Sequence, residues 1–494
     1  FELEDYDGQI YYYANHEFYE DMRTHIDYMY DCPQNLREEE IFETPEWAKN
    51  KIVYQIFPSR FATSKSVSHE EWYQAPIGHQ ADLKGDLRGI IEHLDHLKEL
   101  GVDIVYMTPI FESPSSHKYN TVDYYKIDSS FGTEADMKEL VEKAHALGMY
   151  VIMDAVFNHT GTDFFAFKDI QEKQEKSAYV DWYYIENFPL KMQWGEKPNF
   201  KTFSYFSGMP KLNLLNDEVA EYFINVGRYW METCHIDGWR LDVGDEVSHR
   251  FWHRFRIAMK EANPDALIVG EIWHHAEDFL DGEEWDTVMN YPFCFAIENF
   301  IAKQSITASQ FLGQIGYLEG NLHRRVYPLL WNLIDSHDFP RFMYRCGENV
   351  QQFKLGVGLQ LLWSGMPFIY YGDEFGMTGG ADPDCRRGMV WDENYQNQEV
   401  YQWYKKLIQI RKEYPVLTEG KTVNVFCDDE TGVFAITKEL EGRQMTILAH
   451  AKDGEVSTQE VAEFYKYNCV TNILTGRKFS QKLSGFELAV LTNL

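Results

Sequence analysis

Asp154, Asp242, Glu271 and Asp338 are the residues of this sequence whose type and placement could do chemistry. Each closes a short apolar run, or follows one, at the kind of strand end where barrel enzymes gather their reactive groups. One acidic residue in such a place is an ordinary cap or loop. Four that converge have no simple structural explanation. Acetal hydrolysis is the chemistry that uses them: one carboxylate must be ionised to attack or stabilise an oxocarbenium-like centre, and a second must hold a proton for the leaving oxygen. Crowded like charges raise the pKa of one partner and so separate the roles. Spacing along the chain leaves retention and inversion open. They differ by a carboxylate separation of about 5–5.5 Å against about 6.5–9.5 Å.

Eight strands have to position these groups. Ile52–Phe57, Asp103–Met107, Met149–Asp154, Ile236–Asp242, Leu267–Glu271, Thr287–Asn290, Leu329–Asp335 and Pro367–Tyr371 read as short apolar strands. Helical stretches lie between them, as where Ile90, Ile91, Leu94, Leu97 and Leu100 recur at helical spacing. The pattern predicts a (β/α)8 TIM barrel over residues 45–415. A doubly wound sheet is the alternative, weakened because no GxGxxG follows the first strand. The gap of residues 160–212 after strand three is too long for a βα loop and rich in aromatics, which predicts a small excursion walling the site. Beyond residue 415, Val423–Phe426, Val433–Thr437, Met445–His450 and Leu488–Leu491 predict a C-terminal antiparallel β-sandwich over 416–494. Residues 1–44 are acidic, Tyr-rich and outside the barrel repeat.

The net charge of -32 repels nucleic acid, anionic membranes and polyphosphates, and favours a neutral ligand. Aromatics at 16% fit a protein that stacks flat apolar ligand faces, although most of them belong to the core. Seven cysteines without a CxxC pair suit a reducing cytoplasm, and the first residues carry neither a basic nor an apolar leader pattern. The longest uncharged run, Lys354 to Asp373, is broken by Gln360, Ser364, Gly365 and Pro367, so it reads as a buried helix, a turn and a strand, not a membrane span. No HExxH or zinc-type Cys/His spacing occurs, so no catalytic metal is expected.

Four segments go further. Asp154-Ala-Val-Phe-Asn-His159, Gly238-Trp-Arg-Leu-Asp242, Gly270-Glu-Ile-Trp273 and Ile334-Asp-Ser-His-Asp338 resemble, in order, the diagnostic segments of the α-amylase superfamily. Met209-Pro-Lys-Leu-Asn213 resembles the signature of its neopullulanase, cyclomaltodextrinase and maltogenic amylase subfamily. The resemblance implies Asp242 as nucleophile, Glu271 as acid/base and Asp338 as the helper at the transition state. It implies that Arg240 holds the nucleophile ionised, and that His159 and His337 contact sugar hydroxyls. Tyr119 matches the family's stacking tyrosine, Asp382 and Arg386 a pair closing the far side of that subsite, and Trp273 an acceptor-side platform. For each of these a bland reading stands beside the functional one: a packed aromatic for Tyr119 and Trp273, a loop salt bridge for Asp382 and Arg386.

The implied activity is retaining hydrolysis of α-1,4-glucosidic bonds in a neutral α-glucan oligosaccharide or polysaccharide: cyclomaltodextrins, maltodextrins, pullulan or starch, with some transglycosylation. A general α-amylase, a related α-glucan, sucrose or trehalose transferase, and a non-catalytic sugar-binding barrel are the alternatives. The intact triad argues against the last. Residues 1–44 resemble only the tail of the subfamily's N-terminal β-domain, which leaves a homodimer open. Where relatives carry an Asn/Asp-rich calcium loop, this chain reads Phe61-Ala-Thr-Ser-Lys-Ser-Val-Ser, with Asp82 the sole plausible ligand nearby. Calcium prefers six to eight oxygens, so the expectation is no calcium and no cofactor.

Overall fold

The computed structural model describes residues 2–4, 8–14, 17–22, 43–78, 81–193, 195–464 and 471–492. Contacts divide the chain into two compact units, Phe1–Phe42 and Glu43–Leu494. In the first, Glu2–Glu4, Ile10–Ala14 and Glu17–Tyr19 form a three-stranded antiparallel sheet.

In the second, β1 (Val53–Ile56), β2 (Ile104–Met107), β3 (Tyr150–Ala155), β4 (Gly238–Leu241), β5 (Leu267–Gly270), β6 (Thr287–Val288), β7 (Trp331–Leu333) and β8 (Met366–Tyr370) form one parallel sheet. Each pairs with its neighbour in sequence order, and β8 pairs with β1. A single parallel bridge, Met289 to Trp331, joins β6 to β7 and closes the ring. The barrel is therefore a TIM barrel, as the sequence pattern predicts. Val53, Ile104, Tyr106, Ile152, Leu267, Val269, Leu333 and Phe368 share its buried core. Buried on both faces, such strands read as continuous apolar runs, which is why all eight were legible.

The flanking helices follow from apolar spacing. In Asp217–Cys234, Val219, Ala220, Phe223, Ile224, Val226, Trp230, Met231 and Cys234 are buried at intervals of three and four. The Asn216 side chain accepts from the Glu218 N–H at its start, and left-handed His235 ends it, turning the chain into β4. The uncharged run from Lys354 to Asp373 resolves into the buried helix Val350–Leu362 and β8. No helix among the described residues is long and apolar enough to cross a membrane.

The excursion after β3 begins with the helix Phe165–Lys173, is pinned to the end of β3 by the bridge of His159 to Lys211, and is closed on itself by that of Tyr183 to Leu212. Phe164, Phe165, Tyr179, Trp182 and Tyr222 pack edge to face beneath it. After the barrel, β9 (Lys421–Asp428), β10 (Val433–Leu440), β11 (Arg443–His450) and β12 (Glu487–Thr492) form the body of a six-stranded antiparallel sheet. A two-stranded ribbon, Val456–Ser457 with Lys482–Leu483, covers one face, burying Leu483 against Val433, Ala435, Leu448 and Ala489. The predicted sandwich is thus uneven, one large layer and one small. The ribbon's strands are two residues long, too short to show a period of two.

Candidate active site

Arg240 organises the rim. It lies on β4, is fully buried, and its Nη1 donates to Asp154 Oδ2 at 3.1 Å and to Asp242 Oδ1 at 3.0 Å. Its Nη2 forms an ion pair with Glu271 Oε1 at 2.8 Å. Three carboxylates from three adjacent strands thus converge on one guanidinium, whose planar fork can serve several acceptors at once. Burial would strip its proton, but Asp154 and Glu271 hold the pKa well above the usual guanidinium range.

One cation against three buried carboxylates leaves an excess of negative charge, and the carboxyls of Asp154 and Asp242 are raised in pKa. Burial raises the Asp154 pKa to about 6, against the pull of Arg240 and of the Tyr106 hydroxyl, which donates to Oδ2 at 2.6 Å. Burial, reinforced by the charge of Glu271, raises Asp242 well above the usual carboxylate range. Asp242 Oδ1 is held by Arg240, whereas its buried Oδ2 has no hydrogen-bond partner among the described residues.

Glu271 follows β5 directly. Gly270 is required before it, because a Cβ there would sit 2.1 Å from the Trp285 ring. Its Oε2 accepts the Val243 N–H at 2.9 Å, and its Oε1 lies 3.3 Å from the Trp273 indole nitrogen and 3.4 Å from the Tyr291 hydroxyl. Val243, the residue after Asp242, has φ 46°, a left-handed conformation that a β-branched residue rarely adopts. That turn aims its N–H back across the strands and ties the two carboxylates together.

Asp338 lies beyond β7, 3.3 Å from His337 Nε2 and 3.7 Å from Arg386 Nη2, and burial raises its pKa. His337 is 1% exposed. Its Nδ1 lies 2.7 Å from Gln55 Nε2 and its Nε2 2.6 Å from the Tyr119 hydroxyl. Burial and the nearby Arg386 and Arg240 push the imidazole well below its usual range, so it is neutral. His159 is pushed down to about 3 by burial, and its Nε2 faces the Tyr119 carbonyl at 3.1 Å.

Tyr119, His159, Asp242, Glu271, Trp273, Asp338, Asp382 and Arg386 line one cavity of about 450 Å³. Arg240, expected to hold the nucleophile, and His337, expected to contact the sugar, are fully buried and do not line that cavity. Asp382 and Arg386 pair with each other at 2.9 Å and still form the cavity wall, so the salt bridge and the wall coexist. Trp273 is 44% exposed, with its ring stacked on Tyr291 at 5.0 Å. His117, Phe203 and Asp245 also line the cavity and escaped the sequence reading. His117 stands two residues before Tyr119, which was the available signal; Phe203, inside the excursion, offered none. The Met209–Asn213 segment acquires a physical role: Met209 lines the cavity, and Lys211 Nζ bridges Asn158 Oδ1 at 2.5 Å and Glu246 Oε2 at 2.9 Å. It locks the excursion to β3 and to the turn after β4.

Among the described residues, no three His, Cys, Asp or Glu are grouped to hold a metal. In the loop after β1, Lys65 Nζ donates to the Ser130 carbonyl at 2.6 Å and lies 3.5 Å from Asp86 Oδ2. Asp82 Oδ1 is spent on the Lys84 N–H at 2.9 Å.

A barrel whose C-terminal rim gathers buried carboxylates around a cavity of this size is equipped for acid/base chemistry on a bound ligand. The chain belongs to the α-amylase family: residues 55–420 match the family model of the α-amylase catalytic domain. It is 39% identical over 477 residues to a cyclomaltodextrinase of Geobacillus thermopakistaniensis, covering 96% of this chain and 81% of that one. It is 44% identical over 434 residues to neopullulanase 2 of Thermoactinomyces vulgaris, covering 86% and 73%. A solved cyclomaltodextrinase superposes with a TM-score of 0.87 at 34% identity, over 98% of this chain and 85% of the other.

Proposed function

We propose that this enzyme hydrolyses α-1,4-glucosidic bonds of cyclomaltodextrins, maltodextrins, pullulan or starch with retention of configuration. One observation carries the reading: the buried Asp242 has one oxygen fastened to Arg240 and the other without a partner, beside a second carboxyl on the next strand. The unfastened Oδ2 suits attack on the anomeric carbon. As the C1–O bond breaks, Glu271 gives its proton to the leaving oxygen. It then takes one from a water molecule, whose oxygen attacks C1 and releases Asp242. A sugar hydroxyl in place of that water gives transglycosylation.

Burial and the charge of Glu271 raise the Asp242 pKa, while the Glu271 carboxylate accepts from the Val243 N–H, the Trp273 indole and the Tyr291 hydroxyl and pairs with Arg240. The reaction needs Asp242 ionised and a proton on Glu271. Asp338, held beside neutral His337, accepts sugar hydroxyls, and the Tyr119 ring faces the C–H side of the pyranose. A homodimer remains compatible with this reading. A cytoplasmic location suits the five described cysteines, all free. That no calcium is needed is part of this proposal, and the Lys65 ammonium 3.5 Å from Asp86, in the loop where a cation would sit, supports it.

The test is product analysis with γ-cyclodextrin, pullulan, starch, maltotriose and sucrose, with the product anomer read by NMR. Release of α-anomers from glucans is expected; no glucan turnover, or β-anomers, would overturn the proposal. Asp242→Asn should abolish turnover and keep maltodextrin binding measurable.

A further inference from the structure

The excursion carries a strained hairpin tip that the chemistry above does not use. Residues 202–210 close on themselves: Thr202 bridges Pro210, and the Phe203 N–H donates to the Met209 carbonyl at 3.0 Å. The Phe206 N–H donates to the Phe203 carbonyl at 2.9 Å, and the Met209 N–H to the Phe206 carbonyl at 3.0 Å. Inside this frame Ser204 and Tyr205 stand at φ 48° and 59°, two successive non-glycine residues in the left-handed region. The strain brings no burial in return. Tyr205 is 86% exposed, and its side chain makes no hydrogen bond or ring contact among the described residues.

Its position is informative. On one side, Phe203 stacks on His159 at 5.0 Å and lines the catalytic cavity. On the other, Phe206 lines a second cavity of about 850 Å³, which shares His117, Asp382 and Arg386 with the first. In the chain Tyr205 falls between Phe203 and Phe206, of which one lines each cavity. Residues 202–210 contain no charged side chain. A neutral, aromatic hairpin tip in a protein of net charge -32 suits the C–H face of an uncharged sugar and not an ionic ligand.

We propose that Tyr205 is a specificity-determining platform on which a glucosyl unit of an extended α-glucan rests, a role that builds on the glucan-hydrolase reading above. The strained turn holds the ring out before the substrate arrives, so binding does not have to order it. Tyr205→Gly removes both the ring and the strain, and Tyr205→Phe keeps the ring. For Tyr205→Gly, the ratio of kcat/KM for a long linear maltodextrin to that for maltotriose should fall about tenfold, the scale of one lost aromatic stacking contact. Its Tm should hold or rise by about 1–2 °C, because glycine relaxes the turn. Tyr205→Phe should keep the ratio within about twofold.

An unchanged ratio in the glycine variant would overturn the proposal, as would a fall in Tm with the ratio intact, which marks a structural residue. A change in sedimentation without a change in ratio would assign the ring to a protein partner and overturn it as well. Calorimetric binding of maltoheptaose to Asp242→Asn, with and without Tyr205→Gly, needs no turnover. Equal affinities there sink the platform even where hydrolysis stands, and a wild-type chain inert on every glucan sinks the hydrolase reading by itself.

Discussion

Arg240→Met tests the electrostatic core of the site most directly. Methionine keeps much of the side-chain volume and removes the one cation shared by Asp154, Asp242 and Glu271. At an effective dielectric of about 20, a unit charge pair about 4 Å apart is worth about 4 kcal/mol. Burial already raises Asp242 well above the usual carboxylate range. Loss of the guanidinium should lift it further. The ionised nucleophile then becomes rarer, and kcat/KM should fall by about a thousandfold, the rate equivalent of about 4 kcal/mol, with its acid limb moved to higher pH. Breaking a buried ion pair also costs about 3–5 kcal/mol, so the melting temperature should drop. Arg240→Lys keeps the charge without the fork and should fall between the two. The assay is the pH profile of kcat/KM on γ-cyclodextrin for all three proteins. An acid limb at the wild-type pH in either variant, or Arg240→Met activity within tenfold of wild type, would refute the assignment. Should the methionine variant fail to fold, the lysine variant still decides.

Two further outcomes follow from the same geometry. Asp154 has a folded pKa of about 6 against an ordinary 3.8, so the folded state binds more protons than the unfolded state between about pH 4 and pH 6. Its contribution is therefore full below pH 4 and is lost as the pH rises through 6. Urea unfolding from pH 4 to pH 7 should show a shallower fall in stability for Asp154→Asn than for wild type, and parallel curves would remove Asp154 from that role. Trp273→Ala takes away an exposed ring stacked on Tyr291 and a donor to Glu271, and should lower kcat/KM on maltodextrins about ten- to a hundredfold. A fall in kcat would mark a ring that also serves the acid/base, whereas a change in KM alone would mark a pure platform.

Much of this protein is legible before folding. The eight barrel strands announce themselves because each is buried on both faces and so must be a short apolar run, bounded by polar turns and amphipathic helices. The four acidic residues stand out because they interrupt that pattern at strand ends, and Arg240 and His337 because they lie in the same segments. What local pattern cannot report is distance between residues far apart in the chain. Asp154 and Arg240 are 86 positions apart and yet 3.1 Å from each other, and Val243 reaches Glu271 across 28 positions. Only the closed barrel, by setting strands side by side, decides that three carboxylates share one guanidinium and that one oxygen of Asp242 stays unfastened. It also decides that Asp242 is buried beside Glu271, which raises its pKa. The exposed Tyr205 is the same case in reverse. Its letters read as one more aromatic in a loop, and the strain that gives it meaning exists only in backbone angles held by the hairpin around it.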